Sequence, residues 1–266
     1  MREKIRKLLI IICVAVLAFV SWQIGSYLWG LHNEKAQDEQ VIKEIKEAMQ
    51  NDSESTETEA GEPFQPDKYT YGYMHGINSD YVGWLKWDSN IINTYIMQPP
   101  TDDTEKYLYN NIYGNRVYGG SAFINSTATL DSQNLTIYGH SVFATNTYAI
   151  QMMFSPLRNM LQQSYYESNK TFKIYYESEI VSYEVFAVAK VDISTDDWAY
   201  TKSSFDDENE VQSWLNQAYS RSTISSNLEV TPNDRFVTFQ TCMYREGNER
   251  VIVVAKEMSR EAYPED

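Results

Sequence analysis

The sequence predicts a predominantly β domain with peripheral helices, preceded by a transmembrane helix. Three observations carry that expectation: an uncharged apolar run near the N-terminus, eight short segments rich in β-branched and aromatic residues beyond residue 80, and only two helical patterns among them. The chain has 266 residues, 22 Lys plus Arg against 37 Asp plus Glu, and a formal charge of −15. At 42% hydrophobic it holds enough apolar material for a core, which excludes global disorder. The acidic balance excludes a general nucleic-acid binder, because phosphate backbones require clustered Lys and Arg. Two cysteines permit at most one disulfide, which excludes a disulfide-stapled mini-protein.

Residues 1–31 read as a cytoplasmic flank and a membrane anchor. Arg2, Lys4, Arg6 and Lys7 precede an uncharged run of 24 residues, Leu8 to Leu31. As a helix this run is about 36 Å long, enough for a hydrocarbon core of about 30 Å. Trp22, Tyr27 and Trp29 sit at its outer end, where aromatic side chains favour the headgroup level. The basic flank stays cytoplasmic, so the rest of the chain faces outward. A cleaved signal peptide would have a shorter apolar region, roughly 7–15 residues, and a small-x-small cleavage site. Neither is present, so an uncleaved anchor is expected.

Residues 32–67 read as an acidic stalk, with 11 acids and 3 bases from Glu34 onward. Val41, Ile42, Ile45 and Met49 recur at helical spacing and predict a short amphipathic helix over Glu34–Gln50. Residues 51–63 have no apolar period and read as a flexible spacer.

Residues 68–266 have globular composition and fit one outer domain. Strands are predicted at 83–88, 91–97, 121–125, 134–139, 171–178, 181–193, 235–241 and 250–256, separated by Asn, Asp, Ser and Gly. Ser155 followed by Pro156 predicts a helix leading through Leu157–Tyr165. Ser204 with Asp207 gives an approximate capping box, and Val211, Trp214, Leu215, Ala218 and Tyr219 form an apolar stripe that reads as core packing. Many strands and few helices point to a barrel or sandwich, and the lack of strand–helix alternation excludes a doubly wound sheet.

Cys13 lies in the membrane run and Cys242 in the outer domain, so they cannot pair within one chain. Cys242 is therefore a lone thiol in an oxidising setting, ending the predicted strand Arg235–Thr241. A buried free cysteine can be a mere small hydrophobe, but strand ends around a barrel mouth are common positions for site residues. Arg250 opens the next strand, and a hairpin turning at Gly247 and Asn248 would bring it beside Cys242. Of three histidines, His32 sits at the membrane boundary and His75 precedes the first strand. His140 ends the strand Asn134–Gly139. One cysteine and scattered histidines give no metal-ligand spacing, and no cofactor is expected.

Thr238-Phe239-Gln240-Thr241-Cys242 with Arg250 in the final strand, and Ile137-Tyr138-Gly139-His140 about one hundred residues upstream, resemble the sortases. These are membrane-anchored cysteine transpeptidases of Gram-positive bacteria with a Thr-Leu-x-Thr-Cys motif, in which Phe239 here replaces the Leu. Asn78-Ser79-Asp80-x-x-Gly83-Trp84-Leu85, the Met153-Phe154 pair before a helix, and the long helix near Phe205–Ser220 resemble class B in particular. The resemblance implies a closed eight-stranded β-barrel. It implies Cys242 as nucleophile, His140 as general acid/base and Arg250 as electrostatic stabiliser. It implies secreted proteins with a C-terminal sorting motif as substrates, cleaved at a Thr–Gly or Thr–Asn type bond. The acceptor would be an amine of the peptidoglycan crossbridge or a pilin Lys, at the outer face of the cell membrane. Two other readings fit a lone Cys-His pair: a peptidase that hydrolyses without transfer, and a non-catalytic surface binding module.

Overall fold

The computed structural model describes residues 2–52, 63–117, 119–141, 153–243 and 247–264. The chain forms two compact units, Met1–Glu44 and Ile45–Asp266. The first is helical. Helix α1 runs unbroken over Arg2–Asp52, where the sequence predicts an anchor and a separate stalk helix. Its segment Glu3–Gly30 is long and apolar enough to cross a membrane, and none of it is buried within the protein. Side chains such as Leu9, Ile11, Leu17 and Trp22 stand exposed, which water alone would penalise. The expected flexible spacer falls largely outside the described residues.

The second unit is built on eight strands: β1 (Tyr81–Trp87), β2 (Asn93–Met97), β3 (Ala122–Ile124), β4 (Asn134–Tyr138), β5 (Thr171–Tyr175), β6 (Glu179–Asp192), β7 (Phe236–Cys242) and β8 (Glu249–Ala262). They close into a barrel in the order β1-β2-β3-β4-β7-β8-β6-β5. Pairs β2–β3 and β4–β7 are parallel and the remaining neighbours antiparallel. Closure leaves no sheet edge to template aggregation.

Two apolar clusters explain the strand sequences. Val237, Phe239, Val251, Val253 and Ala255 point into the barrel with Leu85, Ile137, Phe172 and Val185. Phe236, Ile252 and Val254 point outward, against Val211, Trp214, Leu215 and Ala218 of helix α5 (Glu208–Arg221). Burial on both faces is why Val251–Ala255 is a continuous apolar run rather than an alternating one.

The helices correct three expectations. A helix before β1, α2 (Lys68–Ile77), carries His75 and is fixed by a capping box in which Asp67 and Thr70 bond each other's backbone N–H. The Asp-x-x-Thr spacing was its signal. Packing starts upstream of it: Phe64 is buried 4.6 Å from the Trp84 ring. The segment after Pro156 is a 3-10 helix, Ser155–Leu161, followed by a short α4 (Gln163–Ser168). Leu157 and Met160 are both fully buried, and the 3-10 geometry aligns residues i and i+3 on one face. The cap of α5 is Asp207, whose carboxylate accepts from the Glu210 N–H at 2.9 Å, so Ser204 lies outside the helix. Tyr219 remains 41% exposed at the margin of the α5 stripe.

Candidate active site

Strand register brings the three singled-out residues to one end of the barrel. Cys242 ends β7 and pairs directly with Arg250 of β8. Strand β4 runs parallel to β7 with Tyr138 opposite Gln240, and the Gly139 N–H continues the ladder to the Gln240 carbonyl at 3.2 Å. His140 lies two residues beyond Tyr138 and Cys242 two residues beyond Gln240, so both follow the same end of this pairing. Alternation then fixes the face. Leu135, Ile137, Val237, Phe239, Val251 and Val253 fill the interior, so their neighbours in sequence point outward. Cys242 and Arg250 share the outward parity as a direct pair, and His140 follows the end of β4 at the same end of the barrel.

His140 leaves β4 through Gly139, and a Cβ on that glycine would stand 2.5 Å from the Phe154 ring. Phe154 is fully buried and returns a backbone bond to the His140 carbonyl at 2.9 Å. The imidazole lies against the Tyr109 ring, centroids 5.7 Å apart, and hydrogen-bonds the backbone carbonyl of Leu108. Its Nε2 is buried and makes no hydrogen bond to any described residue, which assigns the Leu108 bond to Nδ1. Burial lowers the His140 pKa below the ordinary 6.5, and the Leu108 carbonyl opposes part of that shift. The neutral ring therefore dominates at physiological pH, Nδ1 protonated and Nε2 free to accept.

Cys242 is a free, half-buried thiol. Arg250 Nη1 donates to the Gly247 carbonyl at 3.0 Å and to the Glu249 carbonyl at 3.1 Å, which holds the guanidinium at the mouth of the hairpin. Gly247 takes φ +112°, a conformation that suits only glycine. The adjoining loop from β6 leads to Tyr200, whose hydroxyl donates to Gln240 Oε1 at 2.9 Å. That loop is anchored by Asn134, whose amide donates to the Tyr200 and Lys202 carbonyls at 2.9 Å and accepts from Thr238 Oγ1 at 2.7 Å. Burial raises the Tyr200 pKa; the nearby Tyr138 hydroxyl adds to the shift and the Arg250 charge opposes it. Tyr138, Gln240 and Tyr200 thus meet on the outer face two residues before Cys242 along β7.

The hairpin from Cys242 to Arg250 was legible in sequence. Tyr200 and the Leu108 carbonyl were not: the first lies in a loop without a motif, and the second is a backbone atom. Among the described residues no three His, Cys, Asp or Glu side chains gather as metal ligands.

A thiol, an imidazole and a guanidinium near one end of a barrel are groups that cysteine acyl-transfer chemistry can use. A family model for the sortase domain matches residues 88–258. Sortase B of Listeria monocytogenes is 28% identical over 241 residues, covering 89% of each chain. Sortase B of Staphylococcus aureus is 30% identical over 187 residues, 69% of this chain and 72% of that one. A Staphylococcus aureus sortase B–substrate complex superposes with a TM-score of 0.69 at 25% identity, over 85% of this chain and 97% of that one. The chain belongs to the sortase family, with class B sortases as its relatives, and is a cysteine transpeptidase.

Proposed function

We propose that Cys242 is the nucleophile, His140 the general acid/base and Arg250 the electrostatic stabiliser of this transpeptidase. The observation that carries the assignment is the direct pairing of Cys242 with Arg250, with His140 just past the end of the neighbouring parallel strand β4. Neutral His140 accepts the thiol proton at Nε2 as Sγ attacks the carbonyl carbon of the scissile bond. Negative charge develops on the carbonyl oxygen, and Arg250 together with backbone N–H groups stabilises it. The imidazolium then protonates the departing amine, leaving a thioester on Cys242. An incoming amine loses its proton to His140 and displaces the thiolate, and the product is a new amide.

The substrates on this reading are secreted proteins with a C-terminal sorting motif, and the acceptor is an amine of the cell wall or of a pilin subunit. The relative solved as a sortase B–substrate complex supports substrate binding by a chain of this fold. The apolar segment of α1 supports a single-pass anchor with the N-terminus cytoplasmic and the barrel outside, where the stalk raises the local concentration of exported substrates.

A peptide library carrying varied sorting motifs, incubated with the full chain and analysed by mass spectrometry, tests the proposal. Addition of an amine such as triglycine should shift the product from acid to amide. Product that stays acid at every amine concentration identifies a hydrolase and contradicts the transfer step.

A further inference from the structure

We infer that Asp80, at the head of the barrel's first strand, is a positioning residue that sets the tautomer and orientation of His140 through the one-turn helix α3 (Lys106–Tyr109). The inference rests on the reading of His140 as the acid/base. Its geometry is a chain of contacts from Asp80 to the ring.

Helix α3 has four residues and no side-chain cap at its start. An isolated turn of that length is unstable in water, so outside contacts must hold it. Asp80 Oδ2 accepts from both Lys106 Nζ and Tyr107 Oη at 2.7 Å. Tyr107 is fully buried, and its hydroxyl also accepts from Asn78 Nδ2 at 3.0 Å. The same Asn78 amide donates to the Ile112 carbonyl at 2.8 Å, which ties down the chain beyond α3. Asp80 is itself fixed, its N–H donating to Asn78 Oδ1 at 3.0 Å and its carbonyl accepting from the Gln98 N–H at 2.7 Å. The paired cation and hydroxyl lower the Asp80 pKa, against the effect of burial, so the carboxylate stays charged.

The last carbonyls of a helix lack partners inside it, and in α3 three of them find specific ones. The Tyr107 carbonyl accepts from the Ser121 N–H and the Tyr109 carbonyl from the Val117 N–H, both at 2.8 Å. The Leu108 carbonyl between them accepts from His140. Gly120, at φ +57°, lets the returning chain pass; a Cβ there would sit 2.4 Å from the Leu108 oxygen. An unconstrained histidine side chain favours the Nε2–H tautomer, which would leave Nε2 unable to accept a proton. A fixed carbonyl opposite Nδ1 selects the other tautomer, as partners of the second ring nitrogen do elsewhere.

The test uses the full chain in detergent micelles with 15N-labelled histidine, and follows the imidazole 15N shifts near pH 7.5. His140 is assigned by its absence in the His140→Ala spectrum. The native chain should show His140 as Nδ1–H. Asp80→Asn and Tyr107→Phe should each populate Nε2–H and lower kcat about ten- to a hundredfold, with KM little changed. Because both act through one strap, the double variant should be no worse than the poorer single one. Tyr107→Phe keeps the buried ring and removes one hydroxyl, so it decides the matter if Asp80→Asn folds poorly. An Nε2–H tautomer in the native chain, or an unchanged tautomer in both variants, overturns the inference. Full activity of His140→Ala would instead overturn the acid/base reading, while the spectra still decide the geometry.

Discussion

Cys242 and Arg250 face each other in direct register at the ends of β7 and β8. The next pair outward, Met243 and Glu249, is a hydrogen-bonded one, with the Met243 N–H donating to the Glu249 carbonyl at 3.0 Å. Cys242 and Arg250 are therefore a non-hydrogen-bonded pair, the type whose Cα atoms approach to about 4.5 Å and whose side chains lie closest. Arg250 is thus built into the same ladder as the Cys242 thiol, the proposed nucleophile.

That pairing predicts what Arg250 substitutions do. Arg250→Ala should lower kcat by about 10²–10³, as removal of one oxyanion donor does elsewhere. Arg250→Lys should recover little of it, since a point charge on a flexible stem does not reproduce the planar fork. Steady-state transpeptidation with a fluorogenic sorting peptide measures both.

The buried imidazole predicts a pH signature. Folding lowers the His140 pKa below 6.5, so the unfolded chain takes up this proton first as pH falls. His140 therefore favours the folded state fully above the ordinary imidazole value and loses that contribution as pH drops through it towards the folded value. The drop in Tm between about pH 7.5 and pH 5 should be smaller for His140→Gln than for the native chain. With neutral His140 as the proposed proton acceptor, the acid limb of kcat/KM should fall below the ordinary imidazole range.

Gly139→Ala probes the turn that delivers His140. The added methyl would meet a fully buried Phe154 ring, itself packed edge-to-face on Phe239 at 5.6 Å. Overpacking of this kind costs about 1–3 kcal/mol. For a domain of this size that is a fall in Tm of several degrees, measurable by calorimetry. Activity should fall as well, since the displaced backbone carries His140.

Trp214 holds α5 to the barrel. It is 3% exposed, packs against Trp198, Phe205 and Phe236, and donates its indole N–H to the Ala199 carbonyl at 3.1 Å. Trp214→Ala should cost about 3–5 kcal/mol in denaturant unfolding. Ala199 precedes Tyr200, so the same substitution should raise KM by loosening the loop that holds Tyr200 against Gln240.

The strands were legible because each is a short β-branched or aromatic run between turn residues, and the β7–β8 hairpin because Gly247 and Asn248 mark its turn. The place of His140 was legible only through family resemblance. It depends on the parallel β4–β7 pairing, and two strands about one hundred residues apart carry no local signal of that register. The sequence after Pro156 predicts a helix without fixing its type, because apolar spacing of three residues serves both geometries. Asp80 belonged to a visible motif, Asn78 to Leu85, yet its bonds run to α3, which the sequence gives no reason to place beside it.

The most direct test is intact-mass analysis of the full chain mixed with a cleavable sorting peptide, before and after an acceptor amine is added. The account predicts a thioester adduct on Cys242 with the mass of the acyl fragment. The adduct should disappear on amine addition, as an amide of matching mass appears, and Cys242→Ala should form neither. Undiminished cleavage by Cys242→Ala, or an adduct on any other residue, would contradict it.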